Sequence, residues 1–286
     1  MMIGIGIGPN FQQYPSGAPA FVGPLDALIA QGATFRHASS VRRLRSAYTG
    51  PACRLRGNGA SLEADIAFLP DGTLDLAAAA AVAADSGGTQ ATWVTAYDQF
   101  FISDATQPSA LNQMEFGTAF QSRGEMGGAA AINRTLNLSL GNLPQPSFIC
   151  VVANMNSNVG TRVLFGTLSN SLNRFARLSN TTPQQNWGTT LAGSSISVGQ
   201  HVFGFLNNDT ASQIYIDGVL NAVGNAGNTQ LDMGLARIGG NQSTTQTWNA
   251  TAGNTISEMI VFNGNPTSLA GWPAFVAAQK AHFGIP

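Results

Sequence analysis

The sequence is short of charge. Only 9% of its 286 residues are Asp, Glu, Lys or Arg, against roughly 25% in an ordinary globular domain. Lysine is reduced to Lys280, beside twelve arginines, and the net charge is −1. A chain so balanced lacks the basic stripe that phosphate backbones require, so no nucleic-acid partner is expected. Cysteine is scarce as well. Cys53 and Cys150 both sit in apolar runs, PACRLR and FICVVA. They read as two buried free thiols, with a single disulfide left open because proximity is not visible in sequence. The three histidines, His37, His201 and His282, are scattered. No Cys/His spacing suits zinc, and no metal or cofactor is expected. No apolar run approaches the roughly 20 residues of a membrane span. The opening residues lack the basic n-region and unbroken apolar stretch of a secretory signal.

What is present is turn chemistry and short apolar runs. Glycine is abundant at 33 residues and 44% of the chain is hydrophobic, which is enough for a sizeable core. The chain opens MMIGIGIGPNFQQYPSGAPAFVGP. Its alternation puts Ile3, Ile5 and Ile7 on one face of a strand, with Gly4 and Gly6 opposite, where another backbone can approach closely. Pro9, Pro15, Pro19 and Pro24 then make an extended tether. Residues 1–24 read as an attachment arm and 25–286 as one domain. A short amphipathic piece begins at GPLDALIAQ, and a basic stretch follows. Six arginines lie between Arg36 and Arg56, either ion-paired or forming a basic docking face. ACRLRG, LEADIAF and TWVTAYDQF alternate as strands. DLAAAAAVAAD is the strong helix candidate, with Asp75 at its start.

Beyond about residue 125 short strands recur at regular spacing: NRTLNLSL, SFICVVANM, RVLFGTL, HVFGFLN, QIYIDGVL, LARIGG and TISEMIVFN. Asp217-Gly218 between apolar pairs signals a two-residue hairpin. This spacing predicts an all-β sandwich or barrel. The ending SLAGWPAFVAAQKAHFGIP predicts a terminal helix that turns Phe275, Val276 and Phe283 to the core.

Two segments resemble known families. Residues 46–99, SAYTGPACRLRGNGASLEADIAFLPDGTLDLAAAAAV…TWVTAYDQ, resemble the start of the arabinofuranosidase B catalytic domain. They are still more similar to related modules of bacteriophage tail and virion proteins, which share the Y-x-GP-x-x-R-x-R, D-I-x-F, LD and YDQ landmarks. Those modules often open with a glycine-alternating leader and an FVGPLDA-like tether. Residues 214–264, IYIDGVLNAV…LARIGGNQSTTQTWNATAGNTISEMIVFNG, resemble the second half of laminin-G-like, concanavalin A-like sandwiches. The resemblance implies a concanavalin A-like β-sandwich (jelly roll) with an extended N-terminal arm and one or two short helices.

The same resemblance bears on catalysis. In the arabinofuranosidase family the acid/base Asp directly follows the IGG strand, where this sequence has Asn241. The nucleophilic Glu lies near an xExIxLxN pattern, whose nearest match, NRFARLSN at 173–180, contains no acid. The family's YDQSGNGN loop keeps Tyr97-Asp98-Gln99 but continues FFISD. Two carboxyl groups are indispensable to such hydrolysis, so no catalytic residues and no enzyme are expected. The expected role is that of a structural bacteriophage virion protein: a tail-fibre, tail-tip or capsid-decoration subunit located in the virion. It would attach to other virion proteins through residues 1–24, as a homo-oligomer that the resemblance suggests is a trimer, and would touch host-surface glycans. A glycosidase acting on surface polysaccharide and a free carbohydrate-binding module are the alternatives. The candidate glycan residues are Asp98, Trp187, Asn241 and Trp248. Asp98 lies on a segment that enters the site in the family, though it also suits structural hydrogen bonding. Trp187 and Trp248 sit among Asn, Gln and Thr, where a ring either stacks on sugar or tucks into a loop–sheet edge. Trp93 and Trp272 read as core.

Overall fold

Two apolar runs of the sequence, SFICVVANM and TISEMIVFN, lie side by side within one sheet. They are buried along nearly their whole length, which is why they read as continuous apolar runs: a strand covered on both faces has no polar side to show. The computed structural model describes residues 20–57, 62–85, 90–117, 125–127, 134–157, 160–167, 174–228, 231–233, 236–240, 248 and 253–286. The arm residues Ile3, Gly4, Ile5, Gly6 and Ile7, and Asn241, lie outside the described residues.

In chain order the elements are α1 (Asp26–Ala30), β1 (Thr34–Ser40), β2 (Cys53–Gly57), β3 (Glu63–Ile66), α2 (Leu76–Ala84), β4 (Gln90–Ala96), β5 (Ala105–Thr106), β6 (Glu115–Gly117), β7 (Leu136–Leu138), β8 (Gly141–Leu143) and β9 (Ser147–Met155). There follow β10 (Thr161–Thr167), β11 (Phe175–Ser179), β12 (Thr182–Asn186), β13 (Thr190–Ala192), β14 (Gly199–Asn207), β15 (Ser212–Ile216), β16 (Val219–Gly224), β17 (Leu231–Met233), β18 (Ala236–Ile238), β19 (Thr255–Asn263) and α3 (Trp272–Phe283). One sheet has the order β1-β19-β9-β14-β15-β16. A second, of eleven strands, runs β13-β12-β11-β10-β18-β7-β5-β4-β2-β3, with β6 added on β4. The pairing is antiparallel throughout both. Of the sandwich or barrel that strand spacing left open, the fold is the β-sandwich that the resemblance implied.

Local chemistry accounts for the elements. Asp75 caps α2 by accepting the main-chain N–H of Ala78 at 2.9 Å, and the helix buries Ala79, Val82 and Ala83. Asp217 and Gly218 both take left-handed φ, +54° and +83°, as the type I′ turn of the β15–β16 hairpin demands. Gly204 of β14 is needed for packing, since an added Cβ would lie 2.6 Å from the Phe148 ring. The terminal helix α3 covers the six-stranded sheet. Phe275, Val276 and Phe283 are buried, and Trp272 meets the Phe148 and Phe262 rings edge-on. It ends at Gly284 in the left-handed region, a common helix stop. The short piece at residue 26 folds as α1, so the described residues contain three helices where one or two were expected.

The arginines between Arg36 and Arg56 hold the fold together. Arg54 and Arg56 both pair with Glu63, and Arg36 donates to Asn263. Arg43 lies over the Phe21 ring at 3.9 Å and Arg45 over Phe100 at 4.8 Å. Arg42 is buried against Glu258, Ser40 and Gln279. Cys53 and Cys150 are free and buried, one in each sheet, and burial pushes both thiols well above their usual range.

Candidate functional site

Asp98 follows the end of β4 and is fully buried. Its carboxylate accepts four main-chain N–H groups. Oδ1 takes those of Ala38 and Phe100 at 2.8 and 3.1 Å, and Oδ2 those of Ile102 and Ser103 at 2.7 and 3.0 Å. Its own N–H goes to Asp104 Oδ1 at 2.8 Å. Gln99 completes the clamp: its N–H reaches Ala38 O, its Oε1 accepts from Leu44 N–H, and its Nε2 donates to Arg42 O. Tyr97-Asp98-Gln99 is thus a device for folding residues 98–104 against β1. His37 joins it by donating Nδ1–H to Ser103 O at 2.8 Å and accepting the Ser39 hydroxyl at Nε2. Burial holds that imidazole below its usual pKa, against the pull of Asp98. Asp98 therefore does not present its carboxylate to a ligand, because every lone-pair direction it has is used on the chain itself.

What the clamp does present is Phe101. Its φ is +58°, a left-handed conformation that costs a bulky residue about 1–2 kcal/mol. The ring is 68% exposed, so burial does not offset the strain. One face rests on Tyr48, with centroids 5.0 Å apart. Tyr48 is itself buried and tied to Pro51 O at 2.6 Å. Phe101, Tyr97, Ile102 and Asp104 border a cleft of about 350 Å³ over Tyr48. At its rim Tyr97 donates its hydroxyl to Asp65 at 2.8 Å, and Arg54 stands 3.8 Å from the same carboxylate. Burial, then the Asp65 bond and charge, push the Tyr97 phenol up to about 12, so it remains a donor. An exposed ring beside carboxylates and a phenol is suited to hold a sugar, by stacking an apolar face and bonding hydroxyls. Strained backbone at an exposed residue is itself a mark of function. Sequence reasoning passed over Phe101, because left-handed φ at a bulky residue leaves no mark in the sequence.

The two tryptophans correct the expectation set for them. Trp187 and Trp248 are wholly buried and cannot stack on a sugar. Trp187 donates Nε1–H to Gln185 at 3.0 Å, and Gln185 is fixed in turn to Leu206 O and Gln213 O. Trp248 donates to Thr255 O at 3.0 Å and meets Phe203 edge-on. For Trp187 a polar neighbour that suggested exposure, Gln185, is what satisfies the indole inside the protein; for Trp248 it is a main-chain carbonyl seven residues on. Trp93 and Trp272 are core residues, as predicted.

The acids elsewhere are also engaged. Glu258 is buried with Ser40, Arg42 and Gln279, and burial pushes its carboxyl above the usual range despite the Arg42 charge. Glu125 accepts from Gln200, Thr255 and Ser257. Asp217 pairs with His201 at 2.7 Å. A cavity of about 460 Å³ between Val41, Leu69, Leu74, Leu76 and His282 is lined mainly by aliphatic side chains. Among the described residues no three His, Cys, Asp or Glu side chains gather as a metal site.

No protein-family model and no curated protein matches the sequence. Solved structures do match by fold. A GH54 α-L-arabinofuranosidase mutant soaked with 4-nitrophenyl α-L-arabinofuranoside superposes with a TM-score of 0.66 at 15% identity, covering 90% of this chain and 65% of that one. The same type of enzyme soaked with a cyclic sulfate inhibitor gives 0.63 at 15% identity, with the same coverage. An arabinofuranosidase complexed with arabinofuranosyl-α-1,2-xylobiose gives 0.59 at 12%, covering 92% and 65%. The chain therefore spans about two thirds of the length of these enzymes, and what it shares with them is the β-sandwich itself.

Proposed function

We propose that this chain is a structural, glycan-contacting subunit of a bacteriophage virion, a tail-fibre, tail-tip or decoration protein rather than a hydrolase. The observation that carries the glycan part is the cleft at Phe101. A strained, exposed ring is held beside Tyr97, Asp65 and Asp104 by a carboxylate whose four bonds do nothing else. The fold neighbours act on arabinofuranosides, which favours a neutral, furanose-bearing surface polysaccharide as ligand. The non-catalytic part is supported by the engagement of Asp98, Glu125 and Glu258 in bonds within the protein and by Asn241 at the family's acid/base position. The virion part is supported by the glycine-alternating leader, the proline tether and the low surface charge.

The test uses the purified full-length chain. It is expected to adsorb to bacterial envelopes, to be displaced by soluble envelope polysaccharide, and to release no 4-nitrophenol from 4-nitrophenyl α-L-arabinofuranoside. Release of 4-nitrophenol in proportion to the purified chain would make it an enzyme. Antibody against the chain should decorate purified phage particles; labelling only of soluble material would leave a free carbohydrate-binding module.

A further inference from the structure

Strand β16 closes one side of the six-stranded sheet; a bulge at Asn221 interrupts its register with β15, but on either side of that bulge the edge carries neither charge nor proline. Exposed edges are normally short, charged, proline-containing or covered. The far edge, β1, is covered: Asp98 takes the Ala38 N–H and Gln99 donates to the Ala38 carbonyl. In the other sheet β3 has four residues and carries Glu63 and Asp65, and β13 has three. By contrast β16, VLNAVG, is six residues long without charge or proline. It exposes Val219 at 70%, Leu220 at 50% and Val223 at 61%. Asn221 is engaged with the Ser194 backbone. Among the described residues, the main chain of 219–224 makes no hydrogen bond beyond its pairing with β15. At the start of the strand, Val219, Trp272, Pro273, Val276 and Ala277, flanked by Asp217 and Lys280, border an open hollow of about 280 Å³.

We propose that β16 is an acceptor edge for the Ile3–Ile7 leader of a neighbouring copy of this chain. Strand addition of this kind takes affinity from main-chain bonds and specificity from pockets for alternate side chains. The leader has the matching properties: no charge, isoleucine at every second position, and glycine between, which lets its backbone close on Val219, Leu220 and Val223. One isoleucine would enter the hollow beside Trp272. The reach is sufficient. The described chain begins at Ala20, with Phe21 seated on Arg43 and Gly72, so the twelve residues 8–19 lie between leader and fold and span up to about 40 Å. The six-stranded sheet is only about 24 Å across. This inference rests on the assembly part of the proposed function and is independent of the glycan cleft.

The experiment compares the full-length chain with a chain lacking residues 1–19 and with a Leu220→Lys/Val223→Lys variant, by size-exclusion chromatography with light scattering. Both variants should remain folded, since Leu220 and Val223 are exposed, and should melt below the full-length chain only by what oligomerisation adds, a difference that shrinks on dilution. The full-length protein should be an oligomer, and both variants should fall to the mass of one chain. Mixing an Ile5→Cys chain with a Val223→Cys chain under mild oxidant should give a disulfide-linked pair, while neither alone does; Cys53 and Cys150 are buried and do not compete. A monomeric full-length protein, an oligomer that survives the lysine substitutions, or a link formed only inside one chain bearing both cysteines would each overturn the proposal. Envelope adsorption of the same variants is the separate readout of the glycan reading and should be unchanged by either alteration.

Discussion

Asp98→Asn exchanges one oxygen for an amide nitrogen and keeps the shape of the side chain. In the structure Oδ1 serves Ala38 and Phe100, and Oδ2 serves Ile102 and Ser103. An asparagine can keep one of these pairs; the NH₂ group then faces the other two N–H donors. A donor left without an acceptor costs about 1–3 kcal/mol when buried. The amide should turn its nitrogen to Ile102 and Ser103, because Ile102 is 53% exposed and water can reach that side. The expected loss is therefore near the lower end, about 3 kcal/mol in total for the pair. With an unfolding entropy of roughly 2 cal/mol/K per residue, a chain of this length should lose about 5 °C in melting temperature. Urea denaturation should show a lowered midpoint with an unchanged slope. Polysaccharide adsorption should fall as well, since the loop carrying Phe101 loses half of its anchor. A variant within about 0.5 kcal/mol of the parent that nevertheless loses adsorption would refute the clamp and restore Asp98 as a direct ligand contact.

Phe101→Gly should hold or raise stability by about 1 kcal/mol, because glycine accepts the left-handed backbone freely. It should weaken polysaccharide adsorption about tenfold, the equivalent of one lost stacking contact; unchanged adsorption would remove the ring from the site. Glu258→Ala leaves the buried Arg42 guanidinium with the Gln279 side-chain oxygen as its hydrogen-bond partner and no counter-charge, and urea unfolding should show a loss of about 3–5 kcal/mol. A loss below about 1 kcal/mol would mean that water reaches Arg42. The two buried histidines predict a stability maximum near their unfolded pKa of about 6.5. His37 is held below that value, so the unfolded chain binds the extra proton and stability drops as pH falls from about 6.5 through the folded value. At His201 burial is outweighed by the Asp217 bond and charge, and its pKa is raised. Its contribution is complete below about 6.5 and disappears as pH climbs through the folded value. His201→Gln should flatten the alkaline side only, as read from urea midpoints across the pH range.

The sequence by itself determined the class of fold and much of its punctuation. The continuous apolar runs at 147–155 and 255–263 became the paired central strands. Asp217-Gly218 made the hairpin, Asp75 capped the alanine helix, and Phe275, Val276 and Phe283 turned inward on the last helix. These are local properties, set by side-chain period and by which residues tolerate left-handed φ, so they are legible one stretch at a time. The site was not legible in that way. Trp187 and Trp248 stand among polar residues in the chain, yet Gln185 and the Thr255 carbonyl meet them inside. Asp98 looked available until Ala38, sixty residues away, was placed on its carboxylate. Only the tertiary structure decided which polar atoms were spent on the protein itself and which ring was left exposed. Exposure is a property of what distant segments cover, and one stretch of sequence does not record its neighbours in space.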